Sequence, residues 1–224
     1  MTGDIVTGNN LQQASARTRA KAIGGGVFAL IAIALVLAIV LSGSDGGEPA
    51  TSSEFGTPTI TGNLLPEVLT SNVGDAAADP AYGLPIPEVS GQNFDGEQVA
   101  IERNGKAKAL LFVSHGCGHC QDEIPEVQAW LDATGGVDGV EIIAVSTSAR
   151  EVSGNWPPSE WFAREGWTSP VIVDDEELSV FFGYGGMVIP YWVFVDPDGD
   201  VTRRFAGRLD TSLLELAMLE ALAS

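Results

Sequence analysis

Both cysteines and both histidines of this 224-residue chain lie in one short segment, HGCGHC, which spans residues 115–120. Such a segment could bind a metal ion, form a structural disulfide or act as a redox-active dithiol. A metal site usually takes about four ligands from separate segments. A disulfide that closes so short a loop gains little stability from loop entropy. The spacing therefore favours a redox-active pair of cysteines.

The elements on either side of the segment assign a role to each cysteine. The apolar run KALLFV predicts a buried strand that ends at residue 113, and QDEIPEVQAWLDAT predicts a helix that begins at or just before Cys117 and stops at Gly135. Unpaired N–H groups and the helix dipole stabilise a thiolate in the first helical turn. Cys117 is therefore the expected attacking thiol, and Cys120, on the same helix face, the expected buried resolving thiol.

His119 lies between the two cysteines and is expected to tune them. Its imidazolium or ring dipole can stabilise the thiolate, which favours the dithiol over the disulfide and makes the pair more oxidising. The alternative is a solvated side chain with no such effect.

The rest of the predicted domain alternates strands and helices. The strand VEIIAVS precedes a helix, PSEWFAREG, an extended piece, PVIVD, and another helix, DEELSVFFG. The strand YWVFV, a hairpin turn at Asp198 and Gly199, and a strand over residues 201–205 then lead to an amphipathic helix over residues 212–222. This order predicts an α/β thioredoxin-like fold, with a central mixed sheet flanked by helices.

An apolar segment near the N-terminus predicts a membrane anchor. Residues 22–41 carry no charge, and a helix of that length spans about 30 Å, roughly one bilayer. Basic residues precede it and acidic residues follow it, so residues 1–21 are expected in the cytoplasm. Residues 42–82 are rich in small and polar types and predict a flexible extracytoplasmic linker to the domain, residues 83–224, with the more apolar segment GNLLPEVL as a candidate exception. We expect a single-pass plasma-membrane protein; a cleaved signal peptide is the alternative.

The charge of the chain disfavours two classes of partner. It has 30 Asp and Glu residues against 11 Lys and Arg, with a formal net charge of −19. Nucleic acid and anionic lipid surfaces would be repelled, so neither is expected as a partner.

The motifs together resemble the membrane-anchored thioredoxin-like proteins of the TlpA/ResA type, over about residues 83–224. The resemblance depends on the Cys-x-x-Cys after a strand, on Glu123 and Pro125 after the second cysteine, and on an Ile-Pro pair that opens a late strand. It implies a thiol-disulfide oxidoreductase with a β-hairpin extension at the N-terminus of the domain. It also implies no cofactor beyond a redox-active Cys117–Cys120 disulfide, and no metal.

The resemblance implies a proton acceptor near the dithiol. Thioredoxin has a buried aspartate six residues before the first cysteine, and Leu111 stands there in this chain. Glu123 matches an acidic residue of the TlpA/ResA type and could accept the proton of Cys120. A solvated glutamate on a helix surface is the alternative.

The resemblance also implies the surface that contacts substrate. The Ile189–Pro190 bond is expected to be cis, in a loop that faces the dithiol and presents the backbone of Ile189 to a substrate. Gly116 and Gly118, on either side of the first cysteine, complete the expected substrate-binding residues.

The direction of the reaction stays open. CGHC resembles the active site of protein disulfide isomerase, which favours oxidation or isomerisation. TlpA/ResA-type relatives mostly reduce, for example cysteines of apocytochromes during cytochrome c maturation, with electrons from a membrane partner. In both cases the expected substrates are extracytoplasmic proteins that contain cysteine.

Two other functions remain as alternatives. A copper or zinc metallochaperone would bind its metal through the two cysteines and one histidine. A peroxidase of the peroxiredoxin kind would need a threonine three residues before its reactive cysteine and a proline four residues earlier still, and this chain has Ser114 and Leu110 there.

Overall fold

The computed structural model describes residues 53–69, 76–151 and 155–224. The predicted cytoplasmic tail, residues 1–21, and the predicted anchor, residues 22–41, lie outside these ranges. Within the described ranges, no helix has the length and apolar character needed to cross a membrane.

The described residues form eight strands, four α-helices and one short 3-10 turn. In chain order they are β1 (Thr59–Thr61), the 3-10 turn (Ala76–Ala78), β2 (Glu88–Gln92), β3 (Gln98–Ile101), β4 (Ala107–Val113), α1 (Gly118–Thr134), β5 (Val140–Ser146), α2 (Pro158–Arg164), β6 (Val171–Val173), α3 (Ser179–Gly183), β7 (Tyr191–Val195), β8 (Val201–Ala206) and α4 (Thr211–Ala223).

A five-stranded mixed sheet forms the centre of the domain, in the order β6-β5-β4-β7-β8. Strands β4, β5 and β6 run parallel, while β7 is antiparallel to both β4 and β8. Parallel neighbours need a crossover connection, and α1 forms the crossover between β4 and β5. This topology is thioredoxin-like, as the sequence predicts.

The central strand β4 is buried along its whole length because both faces of the sheet are covered. Alternate side chains enter two separate cores. Ala109 and Leu111 pack toward α1, α2 and α4, in the core that also contains Cys120. Leu110 and Phe112 pack toward α3 and the N-terminal strands. The continuous apolar run KALLFV is therefore explained by two-sided burial.

The β-hairpin extension implied by the sequence is present, and a third strand pairs with it. β2 and β3 form an antiparallel hairpin, and β1 pairs with the other edge of β2. The side chain of Asn93 closes the hairpin turn by accepting hydrogen bonds from the N–H groups of Asp95, at 3.0 Å, and Glu97, at 2.9 Å.

The described part of the predicted flexible linker is packed on the domain. Leu65 and Val68 are buried in the second core. Their N–H groups donate to the carbonyl oxygens of Gly183 and Gly185, each at 2.9 Å. The linker prediction is therefore wrong for these residues. A segment with few apolar side chains can be ordered here because the domain provides the apolar surface against which they pack.

The helix predicted from DEELSVFFG is shorter than expected. It begins only at Ser179, after Leu178, whose φ of 61° is left-handed. The buried carboxylate of Asp174 accepts hydrogen bonds from the N–H groups of Val180, at 2.9 Å, and Phe181, at 3.1 Å. The Asp174 side chain thus binds free N–H groups at the start of the helix. The acidic residues between Asp174 and the helix lie outside the helix.

Arg204 on β8 ties the N-terminal segment to the sheet. Its buried guanidinium forms a salt bridge with Asp79, and its Nη1 donates to the carbonyl oxygen of Pro66 at 2.8 Å and to the hydroxyl of Tyr191 at 3.1 Å. One buried cation thus satisfies groups from three parts of the chain.

Replacement of this buried arginine should destabilise the protein strongly. We expect Arg204→Ala to lower the free energy of unfolding by about 3–5 kcal/mol, because Asp79 would be left as an unpaired buried charge. Urea denaturation followed by tryptophan fluorescence measures the change. Arg203→Ala is the matched control: Arg203 forms a more exposed ion pair with Glu220 at 2.9 Å, and its loss should cost about 1 kcal/mol or less. Equal losses for the two variants would contradict the assigned role of Arg204.

Candidate functional site

The two cysteines occupy different environments at the start of α1. Cys117 is the N-cap residue, with φ −90° and ψ 118°, and its thiol is partly exposed. Cys120 lies in the first turn and is fully buried. Both thiols are free in the structure. The burial of Cys120 and the exposure of Cys117 at the helix N-terminus are as the sequence predicts, while the attacking and resolving roles stay predictions.

The loop before β7 faces the dithiol. The Ile189–Pro190 peptide bond is cis, and the thiol of Cys117 lies 3.7 Å from the carbonyl oxygen of Ile189. The structure thus brings Ile189 and Pro190 to the exposed cysteine, although more than seventy residues separate them in sequence.

A groove of about 300 Å³ runs beside the exposed cysteine. It is lined by Ser114, His115, Gly116, Cys117, Ser148, Arg150 and Ile189. Gly116 is exposed at its edge. Gly118 and His119 are also exposed and extend this surface into the first turn of α1.

Glu123 is buried, with only 1% of its surface exposed, so the alternative of a solvated surface glutamate is wrong. Its Oε1 accepts hydrogen bonds from Trp192 Nε1, at 2.7 Å, and from the N–H of Leu209, at 3.1 Å. Arg208 Nε lies 3.6 Å from its Oε2. Burial raises the pKa of Glu123, while the two hydrogen bonds and the arginine charge act in the opposite direction.

Cys120 retains its proton strongly in this environment. Burial is the main cause that raises the pKa of its thiol, and the neighbouring Cys117 and Glu123 raise it further. Cys120 and Glu123 are three residues apart on α1 and are both buried, so they are neighbours on the inner face of the helix. A reaction that needs the thiolate of Cys120 therefore requires a nearby group to take the proton.

A model of the AhpC/TSA family matches residues 82–204, which is more than half of the chain. The chain belongs to the AhpC/TSA family. The match includes both cysteines, Glu123 and Pro190, while Arg208, Leu209 and α4 lie beyond its end. Among curated proteins, none matches the chain significantly.

Solved structures resemble this AhpC/TSA family member in fold. The chain is 23% identical to the thioredoxin domain of a thiol-disulfide oxidoreductase from Bacteroides vulgatus. The match covers 62% of this chain and 96% of that chain, with a TM-score of 0.50. The chain is 24% identical to DsbF of MTB, with a TM-score of 0.50 over 59% of this chain and 94% of that chain. These similarities show a thioredoxin-like fold.

The described residues of this family member contain no group of three or more His, Cys, Asp or Glu side chains that could hold a metal ion. His115, one of two histidines available to a metallochaperone, directs its Nε2 at the carbonyl oxygen of Arg150, at 2.8 Å.

His115 is a site residue that the sequence reasoning did not select. It is buried, lines the groove, and has its ring edge against Trp156, with 5.6 Å between ring centroids. Since a carbonyl oxygen can only accept, Nε2 must donate the hydrogen bond to Arg150. Burial lowers the pKa of His115, so the neutral ring is the stable form. Its position two residues before the first cysteine was the available signal.

Acid should destabilise the protein through His115. The unfolded histidine titrates at its ordinary pKa of 6.5, whereas the folded one titrates lower, so stability is lost as the pH falls below about 6.5. We expect the wild-type chain to lose more unfolding free energy between pH 7 and pH 5.5 than His115→Gln loses. Urea denaturation at each pH measures both. A full wild-type loss in His115→Gln would contradict the assignment.

Proposed function

We propose that this chain is a thiol-disulfide oxidoreductase that exchanges disulfides with substrate proteins through Cys117 and Cys120. The observation that carries the proposal is the pairing of a partly exposed thiol at the N-terminus of α1, 3.7 Å from the carbonyl oxygen of Ile189, with a buried thiol one turn later. The thioredoxin-like fold supports it, since the solved structure from Bacteroides vulgatus is described as a thiol-disulfide oxidoreductase.

The reduction of a substrate takes two steps. The thiolate of Cys117 attacks a substrate disulfide, forms a mixed disulfide with one sulfur and releases the other as a thiolate. Cys120 then loses its proton and attacks the sulfur of Cys117. This step forms the Cys117–Cys120 disulfide and releases the second substrate sulfur, so two electrons pass to the substrate. Substrate oxidation is the reverse sequence.

Glu123 is the proposed acceptor for the proton of Cys120. Both groups are buried, so bulk water is not the direct acceptor. The carboxylate is held by Trp192 and Leu209, and Glu123 lies one helical turn from Cys120 on the inner face of α1. Transfer of the proton from Cys120 to Glu123 neutralises the carboxylate as the thiolate forms. The number of buried negative charges therefore does not change.

The groove beside Cys117 is the proposed substrate site. A cysteine-containing segment of the substrate would lie along Gly116 and Ile189, with the substrate sulfur at the thiol of Cys117. Gly118 and His119 present an open surface on the other side. The reaction then needs no cofactor beyond the redox-active disulfide.

The location and partners are also part of the proposal. The uncharged segment over residues 22–41 supports a plasma-membrane anchor with the domain outside the cytoplasm. Substrates would be extracytoplasmic proteins that contain cysteine, and a membrane protein would exchange electrons with the domain. Reduction during cytochrome c maturation and oxidation or isomerisation of secreted proteins are the two candidate roles.

The two cysteines should fail in different ways when they are replaced. Cys117→Ser should abolish reduction of a disulfide substrate such as insulin, because the attacking thiol is lost. Cys120→Ser should retain the first step and accumulate a mixed disulfide, visible as an added mass on non-reducing analysis. Exchange that persists in Cys117→Ser would contradict the proposal. Peroxide consumption that depends on Cys117 without disulfide exchange, or stoichiometric Cu(I) binding by the reduced chain, would favour the alternative functions.

The reduction potential decides the direction of the reaction. We expect His119→Pro to make the potential of the Cys117–Cys120 pair more negative, because a group that stabilises the thiolate is removed. Equilibration with glutathione and dithiothreitol buffers measures both chains. A wild-type value near or above about −200 mV would indicate oxidation or isomerisation, and a value below about −250 mV would indicate reduction. An unchanged potential in His119→Pro would contradict the tuning role.

A further inference from the structure

Arg208 joins the buried carboxylate of the site to the protein surface. It lies in the segment between β8 and α4, and its guanidinium meets three carboxylates of α1. Its Nη1 lies 3.5 Å from Asp122, its Nη2 contacts Glu126, and its Nε lies 3.6 Å from Glu123. Asp122 and Glu126 are well exposed, whereas Glu123 is buried. One cation is thus shared between two solvated carboxylates and one buried carboxylate.

The groups that face Glu123 come from three parts of the fold. Trp192 on β7 and the backbone of Leu209 are neutral donors. On α1 itself, Cys120 lies three residues before Glu123 and Glu126 three residues after it, so both are neighbours of Glu123 along the helix. Among the described residues, Arg208 is the positive charge at ion-pair distance from this carboxylate.

We propose that Arg208 is a positioning residue that keeps Glu123 ionised and oriented to accept the proton of Cys120, with Glu126 as a competitor for the same guanidinium. This inference rests on the proposed function, because it assigns a role in the second step of the exchange. Arg208 touches neither substrate nor reacting sulfur and acts through Glu123 alone.

The signs of the two charges give opposite expectations. Burial favours protonated Glu123, and the positive charge of Arg208 acts against that effect. Removal of this charge shifts the ionisation of Glu123 to higher pH. Removal of the Glu126 charge takes away a like charge and releases the guanidinium toward Glu123, so more carboxylate is present. A structural role without an electrostatic one would not produce shifts of opposite sign.

Reaction with 5,5′-dithiobis(2-nitrobenzoate) separates the two steps in one experiment. Attack by Cys117 releases one thionitrobenzoate and leaves a mixed disulfide on the protein. Attack by Cys120 then forms the Cys117–Cys120 disulfide and releases a second thionitrobenzoate. Stopped-flow absorbance of the full chain between pH 5.5 and pH 8 gives the rate of each release, and only the second depends on a base for Cys120.

We expect the second rate to rise with pH in every chain and the position of the rise to depend on the variant. In Arg208→Gln it should move to higher pH, with a rate about two- to fivefold lower than wild type on the rising part of the profile, the range expected for a partly solvated ion pair. Arg208→Lys should restore most of the rate, and Glu126→Gln should move the rise to lower pH. The first release reports on Cys117 and serves as the internal control.

The outcomes distinguish the inference from the function on which it rests. If the wild-type chain gives no second release, Cys120 does not resolve and the proposed function fails. If the second release occurs but its pH dependence is the same in wild type and Arg208→Gln, the role of Arg208 is overturned while the function stands. A rate lowered equally at every pH would also overturn it, because that is the mark of a structural effect alone.

A titration of Glu123 itself gives a readout without activity. The side-chain carboxyl ¹³C resonance, assigned by its absence in Glu123→Gln, should titrate at higher pH in Arg208→Gln and at lower pH in Glu126→Gln. If Arg208→Gln does not fold, the opposite shift in Glu126→Gln remains as the test. An unmoved titration in Glu126→Gln would then overturn the proposal.

Discussion

The burial of one face of α1 against the central sheet is the constraint on which the site depends. Each step of three residues turns a helix by about 300°, so Cys117, Cys120 and Glu123 drift progressively from the edge of α1 toward its inner face. Cys117 stays at the helix entrance, partly exposed, while Cys120 and Glu123 enter the core. The hydrogen bond from Trp192 of β7 fixes the inner end of this row. A shift of the helix would move all three groups together.

Asp174 and Arg204 are also buried charged residues of the domain, and their partners give both of them a structural role. Asp174 accepts hydrogen bonds from Thr147 and from backbone N–H groups at the start of α3, and so replaces a helix cap. Arg204 is paired with Asp79 and donates to the carbonyl oxygen of Pro66 in the N-terminal segment. Glu123 is also hydrogen-bonded, but it lies one helical turn from the buried thiol of Cys120. In the proposed exchange, its desolvation would therefore affect proton transfer as well as stability.

Most of the fold could be predicted because its signals are local. The run KALLFV, the hairpin turn at Asp198 and Gly199, and the helix that stops at Gly135 each depend on residues close together in sequence, and the structure agrees with them. The predictions that failed depended on distant partners. The segment around Leu65 and Val68 is ordered by a core that other strands supply, and α3 is shortened by a carboxylate that binds its first turn.

For the site, the sequence by itself predicted a redox-active dithiol, and the tertiary structure decided its surroundings. Residue type and the Cys-x-x-Cys spacing at a helix start are sufficient to indicate a redox-active dithiol with an exposed and a buried thiol. The contact with Ile189, the burial of His115 and the ion pair from Arg208 to Glu123 all join residues that are far apart in sequence. Local periodicity specifies which face of an element is buried, but only the packing of those faces decides which charges and carbonyl groups meet a thiol.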